Sequence, residues 1–244
     1  MAELIKAWEE TFSGTATSVK SIFGGNPTAP HDNQFYTETP LIQVDYNGDK
    51  FGRYSSDLSH VPFYDFNHPE LVFITAVWYN HQTINRSDID LRGGKLKTRV
   101  RAQALSLPKR ARICFWIQAI DPLAGHGEGQ YVNYAQINNQ LSDALGVQRP
   151  LYRASTPSPV WTQWQVIEIP FSSDESHWLA MGTRSKWQYG KSISAEQALS
   201  LNFVDMGFLT LLGEVDTSPT QVGHIDFDYI ELWLDSERNP WLIV

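Results

Sequence analysis

At 244 residues, with 42% hydrophobic and 13% aromatic content, the chain has enough apolar surface to build a sizeable packed core. Nineteen basic against 27 acidic residues leave a net charge of −8 with no dense basic run, which argues against nucleic acid or an anionic membrane as the main partner. No segment approaches the roughly 18 consecutive apolar residues that cross a bilayer, so no membrane insertion is expected, and Cys114, as the single cysteine, excludes an internal disulfide.

The start, Met1–Glu10, carries no continuous apolar run and does not read as a signal peptide; a cytoplasmic, non-classically exported or virion-borne location is the expectation. Residues 1–14 are expected to form a short helical turn leading into a strand at Trp8–Phe12. The stretch 13–40 is rich in Gly, Ser, Thr, Pro and Asn and reads as a long surface excursion on a single β-sandwich domain spanning 1–244. Leu41–Tyr46 and Lys50–Tyr54 flank Asn47-Gly48, whose two residues suit a type I′ hairpin turn. Residues 55–70 are irregular. Leu71–Tyr79 is continuously apolar and β-branched, as in a strand buried on both faces.

Asp90–Val100 reads as a strand entered through the Gly93-Gly94 turn. Leu96–Leu105 and Ala111–Ile120 form two adjacent strands, the second holding Cys114 as a small buried residue. Gly125, Gly127 and Gly129 punctuate a loop. Tyr134–Leu145 has Ile137, Leu141 and Leu145 at helical spacing and is expected to be helical. Trp161–Pro170 is a strong strand. Ser194–Leu201 is expected to be a helical turn with Ser194 as N-cap and Gln197 three residues on. Phe203–Leu212 and Ile225–Leu234 complete the sheets, the last alternating apolar residues with acids as an edge-to-core closing strand. The fold class is all-β: an antiparallel jelly-roll β-sandwich with long loops and a few short helices.

Three segments, Leu91–Leu96, Trp161–Pro170 and Phe227–Leu232, give the chain a resemblance to the galactose-binding-like jelly rolls, which include carbohydrate-binding modules and the laminin-B-type domain. The resemblance covers roughly residues 71–235. It implies a structural calcium ion held by an acid near the first strand, Glu9 or Glu10, and by Asp228 on the last, with backbone carbonyls completing the six to eight oxygens that calcium takes.

Candidate chemistry is sparse. Asp226 and Asp228 share a strand and Glu168 lies on another, but no Glu-x-Asp-x-x-Glu run occurs, and these acids read as solvent-facing. The histidines at 31, 60, 68, 81, 126, 177 and 224 lack metal-ligand spacing, and no Gly-x-Ser-x-Gly elbow supports a serine nucleophile. Aromatics carry more information. Trp178, Trp187 and Tyr189 lie in a polar, loop-like segment, and Trp78, Tyr79 and His81 end a buried strand beside another. Exposed rings beside polar donors suit the flat C–H faces of sugars.

The first expectation is therefore a non-catalytic recognition module that binds carbohydrate through these loop aromatics. A structural or adaptor protein of a virion or other assembly, with protein partners and homo-oligomeric contacts, is the alternative. A calcium-dependent enzyme on the same scaffold (lyase, hydrolase or cyclase) ranks third, since no acid–base or nucleophile arrangement stands out.

Overall fold

A computed structural model describes residues 3–15, 17–23, 37–55, 73–80, 88–106, 112–120, 131–140, 163–183, 193–200, 203–211 and 222–243. The strands are β1 (Leu4–Glu10), β2 (Lys20–Phe23), β3 (Thr37–Pro40), β4 (Ile42–Tyr46), β5 (Asp49–Ser55), β6 (Phe73–Asn80), β7 (Lys95–Ser106), β8 (Arg112–Ile120), β9 (Tyr131–Gln140), β10 (Gln165–Pro170), β11 (Trp178–Thr183), β12 (Phe203–Leu211) and β13 (Val222–Asp235). A six-stranded sheet runs β10-β7-β13-β5-β4, with β1 also on β13, and a seven-stranded sheet runs β11-β9-β8-β12-β6-β2-β3. All of the pairings are antiparallel. The architecture is the all-β sandwich that the strand patterns imply.

The core lies between the two sheets. Phe227 of β13 stacks on Phe208 of β12 at 5.7 Å, joining the layers, and Phe115 stacks on Phe171 at 4.8 Å. Leu96, Val100, Phe115, Ile117, Phe227, Ile230, Leu232 and Leu234 are all fully enclosed. Their alternation along β7, β8 and β13 sets one face of each strand inward.

Several local expectations hold for the reasons given. Asn47 (φ 57°) and Gly48 (φ 85°) both take left-handed backbone between β4 and β5, as a type I′ turn requires. Gly93 (φ 74°) turns the chain into β7, and a Cβ on Gly94 would lie 2.6 Å from the Trp233 carbonyl oxygen. The helix α1 (Ala195–Ser200) opens with reciprocal bonds: Gln197 N–H donates to Ser194 Oγ at 3.1 Å, and Ser194 N–H to Gln197 Oε1 at 2.8 Å.

Other expectations are corrected. Residues 131–140, part of the segment expected to be helical, form β9, because β8 and β11 pair with it on its two sides and Tyr134, facing the core, hydrogen-bonds the Ile193 carbonyl. Leu141 and Leu145 lie outside the described residues. Strand structure starts at Leu4, so no helical turn precedes it among the described residues. The strands β7 and β8 do not pair; they lie in different sheets. And β13 is interior, flanked by β7 on one side and by β5 and β1 on the other.

A bulge explains an ambiguity in the β13 sequence. Against β7 the register shifts between Phe227 and Tyr229, which makes Asp228 the extra residue. Thr98, fully buried, donates its hydroxyl to the Tyr229 carbonyl at 2.7 Å and so satisfies the backbone there. Core-facing positions then pass from Ile225 and Phe227 to Ile230, Leu232 and Leu234.

The C-terminal turn is tied to the loop before β7 by one side chain. Asn239, with no exposed surface, accepts from Asp90 N–H at 3.0 Å and donates to the carbonyls of Asp90 (2.9 Å) and Asp235 (3.0 Å). Asn239→Ala removes three bonds to part-buried backbone groups, of which the Asp235 carbonyl keeps the backbone N–H of residue 239, and is expected to cost about 1–3 kcal/mol. Chemical denaturation of the two proteins checks this; a loss below about 0.5 kcal/mol would show that water replaces the side chain.

Candidate functional site

On the seven-stranded sheet, Phe115, Ile117, Tyr134, Met206 and Phe208 face the core. Alternation therefore sets Cys114, Trp116 and Gln118 of β8, Ala135 of β9, and Asp205 and Gly207 of β12 on the outer face. Their register makes two neighbouring rows. Trp116 pairs with Ala135 on one side and Gly207 on the other, and Gln118 pairs with Asp205. Strands lie about 4.8 Å apart and residues two along are about 6.7 Å apart, so an indole, an amide and a carboxyl share an area of one or two sugar rings.

The flanking residues matter as much as the rings. Ala135 and Gly207 are the two small cross-strand neighbours of Trp116. Although these side chains face away from the core, Trp116 is only 6% exposed, Gln118 5% and Asp205 9%. The outer face is enclosed at this point rather than open, and all three residues have interactions within the protein, as buried polar groups as a rule do.

The outer face of the six-stranded sheet is differently made. Lys95, Lys97, Arg99 and Arg101 alternate along β7 and meet acids on both neighbours. Arg53 binds Asp226 with Nε–Oδ1 at 2.7 Å and Nη2–Oδ2 at 3.0 Å, and Arg101 Nε reaches Asp226 Oδ2 at 3.0 Å. Arg99 pairs with Asp228 at 2.8 Å, Lys95 with Glu168 at 2.8 Å, and Trp233 Nε1 donates to Glu231 at 2.8 Å. The Arg101 guanidinium lies against the rings of Phe51 (4.7 Å) and Trp164 (4.3 Å), which also meet each other edge-on at 5.8 Å. Of the acids expected to face solvent, Asp226 is instead buried at 1% exposure, whereas Glu168 keeps 47% and Asp228 22%, each held in an ion pair.

The residues singled out from sequence are scattered by the fold. Trp178 is core: it is 5% exposed, meets Phe115 edge-on at 6.2 Å and donates Nε1–H to the Ser172 carbonyl at 3.0 Å. It is not a surface contact. Trp78 and Tyr79 lie in β6 at the register positions of Gly207 and Met206. Trp187, Tyr189 and His81 lie outside the described residues.

The expected neighbourhood of first and last strands is found, with Glu9 opposite Glu231 and Glu10 opposite Ile230. The acids do not converge, however. Glu9 pairs with Lys6 at 2.9 Å. Glu10 accepts from Phe12 N–H (2.8 Å), Thr17 Oγ1 (2.9 Å) and Ser18 N–H (3.2 Å), and so organises the loop after β1. Asp228 is held by Arg99. Among the described residues, no group of three or more His, Cys, Asp or Glu side chains is placed to hold a metal ion.

Trp116, Gln118 and Asp205 were missed for a physical reason. The run Ile113–Ile120 is apolar on both faces, so alternation gives no clue to which side is the core. Gln118 inside that run was the available signal, since an amide rarely interrupts a strand buried on both sides.

No protein-family model matches the chain, and no curated protein does. Among solved structures, the chain is similar to a non-specific endo-β-1,3(4)-glucanase from family GH16, at 10% identity and a TM-score of 0.41, over 95% of either chain. It is also similar to an endo-β-galactosidase from Clostridium perfringens that releases GlcNAcα1-4Gal, at 11% identity and a TM-score of 0.36, over 97% of this chain and 64% of that one. Both are enzymes, in contrast to the non-catalytic recognition module expected from the sequence, and at TM-scores below 0.5 neither activity is carried over to this chain.

Proposed function

We propose that the chain is a carbohydrate-active protein that receives a glycan on the outer face of the seven-stranded sheet. Because Trp116, Gln118 and Asp205 are 6%, 5% and 9% exposed, the glycan would reach them only once this enclosed face is uncovered; Trp116 would then supply the stacking surface, Gln118 and Asp205 would bond the hydroxyls, and Asp205 would be the carboxyl on which proton transfer centres. The observation that carries this reading is the adjacency of an indole flanked by small residues to a buried amide–carboxyl pair on a face turned from the core. Sugars present apolar C–H faces rimmed by hydroxyls, and this surface matches both.

Electrophoresis through gels cast with hydroxyethylcellulose, laminarin, xylan or galactomannan tests the binding, and release of reducing ends from the same polymers tests turnover. At least one polymer is expected to retard the protein. Stacking is worth about 0.5–1.5 kcal/mol beyond area burial, so Trp116→Ala should weaken retardation about 3- to 10-fold, and Asp205→Asn should lower any reducing-end release more than it lowers retardation. Melting curves identify a variant that has unfolded. If none of the four polymers retards the wild type, or if a folded Trp116→Ala migrates as the wild type does, the face has been misassigned.

A further inference from the structure

Away from the sheet faces, the segment Phe171–His177 between β10 and β11 gathers a hydroxyl, an imidazole and a carboxylate. Ser172 Oγ is 2.7 Å from His177 Nδ1, and Asn138 Nδ2 is 3.0 Å from the same nitrogen. Both contacts fall on Nδ1, and in the tautomer that carries the ring proton on Nε2 this nitrogen is an acceptor. Ser172 is then the donor in its own contact, and its O–H is aimed at a base. On the far side of the ring, Nε2 lies 3.7 Å from Asp174 Oδ2.

The backbone supports this order. Asp174 N–H donates to Ser172 Oγ at 3.1 Å, a fixed dipole beside the oxygen that gains charge as its proton leaves. The Ser172 carbonyl is held by the buried Trp178 indole, and Ser172 N–H points to Oε1 of the fully buried Gln136 at 3.4 Å. Core groups therefore position the residue, while its side chain sits at the half-exposed surface next to an imidazole that is 38% exposed. Hydrogen bonds from the Ser176 hydroxyl and backbone N–H hold the Asp174 carboxyl below its ordinary value, against a smaller opposing effect of burial.

We propose that Ser172 is a nucleophile activated by His177, with Asp174 as the positioning carboxylate, and that its substrate class is a carboxylic ester. Ser172 Oγ bonds to the acyl carbon as its proton passes to His177 Nδ1. The ester C–O bond breaks, and the leaving alcohol takes that proton. Water then attacks the acyl-serine, giving one proton to Nδ1, and the carboxylic acid departs as Ser172 Oγ regains it. Electrons stay paired and no further reactant is needed.

The same hydrogen bonds cap the short 3-10 turn at Glu175–His177, and a purely structural role predicts an inert serine. A fluorophosphonate probe separates the two. Peptide mapping of the labelled wild type is expected to find the adduct on Ser172. General-base assistance is commonly worth 10²- to 10⁴-fold, so His177→Gln should label at least about 100-fold more slowly, and Ser172→Ala should lose hydrolysis of p-nitrophenyl acetate. His177 is at the surface, and its variant is expected to melt as the wild type does. An unlabelled Ser172 in the wild type, or a His177→Gln protein labelled at the wild-type rate, overturns the proposal. Neither result bears on the carbohydrate face, which shares no residue with this cluster.

Discussion

Asp226→Ala is expected to be the most damaging single charge deletion in the described chain, at roughly 3–5 kcal/mol. The carboxylate is 1% exposed and takes three bonds from two guanidiniums, whose side chains are themselves only 20% and 16% exposed. Without it, Arg53 and Arg101 face each other across a site where water has little access, and the stacks on Phe51 and Trp164 compensate only in part. For a chain of this length, 1 kcal/mol moves the melting temperature by about 2–4 °C, so a fall on the order of 10 °C is expected in calorimetry. Glu168→Ala is the control: its pair with Lys95 is 47% and 25% exposed, and it should cost under about 1 kcal/mol. Equal losses for the two variants would contradict the contrast between a buried and an exposed pair.

The second large effect is a coupled one. Phe12 adopts a left-handed backbone (φ 55°), has no exposed surface, and lays its ring against Gly52 of β5. A Cβ at Gly52 would sit 2.6 and 2.7 Å from two of its ring carbons, inside any tolerable contact. Gly52→Ala is therefore expected to cost about 2–3 kcal/mol by overpacking, and Phe12→Ala about 3–5 kcal/mol through the cavity it leaves. Together they should not add. With the ring gone, the new methyl occupies empty space, and the double variant should be no less stable than Phe12→Ala alone. A double-mutant cycle by urea unfolding measures this; simple additivity would place the Phe12 ring elsewhere.

The sequence made the scaffold readable where a local rule had a single solution. Asn47-Gly48 between alternating runs admits little but a type I′ hairpin, and Ser194 with Gln197 is a reciprocal cap written in two residues. The reading failed where one pattern serves two structures. Ile137, Leu141 and Leu145 fit a helix, yet Val132 and Tyr134 alternate as a strand, and β8 supplies the partner that decides between them. The site was harder still. Trp178 reads as a loop residue because Ser and His precede it, but its indole finds the Ser172 carbonyl and the ring of Phe115, contacts that no spacing encodes. Asp205 and Gln118 lie 87 positions apart and become neighbours only through the β8–β12 register. Ser172, Asp174 and His177 are close in sequence, but their geometry depends on Asn138 from another strand.

The carbohydrate face can be tested directly with the nine tryptophans as reporters. Replacing them with 5-fluorotryptophan and assigning Trp116, Trp164 and Trp233 by single Phe substitutions gives one fluorine signal on the outer face of the seven-stranded sheet and two on the other. Each of the four polymers is then titrated in turn. The Trp116 resonance is expected to shift on addition of a polymer that retards the protein in gels, with Trp164 and Trp233 unmoved. A shift at Trp164 or Trp233 with Trp116 unchanged would place the glycan on the wrong sheet and contradict the account.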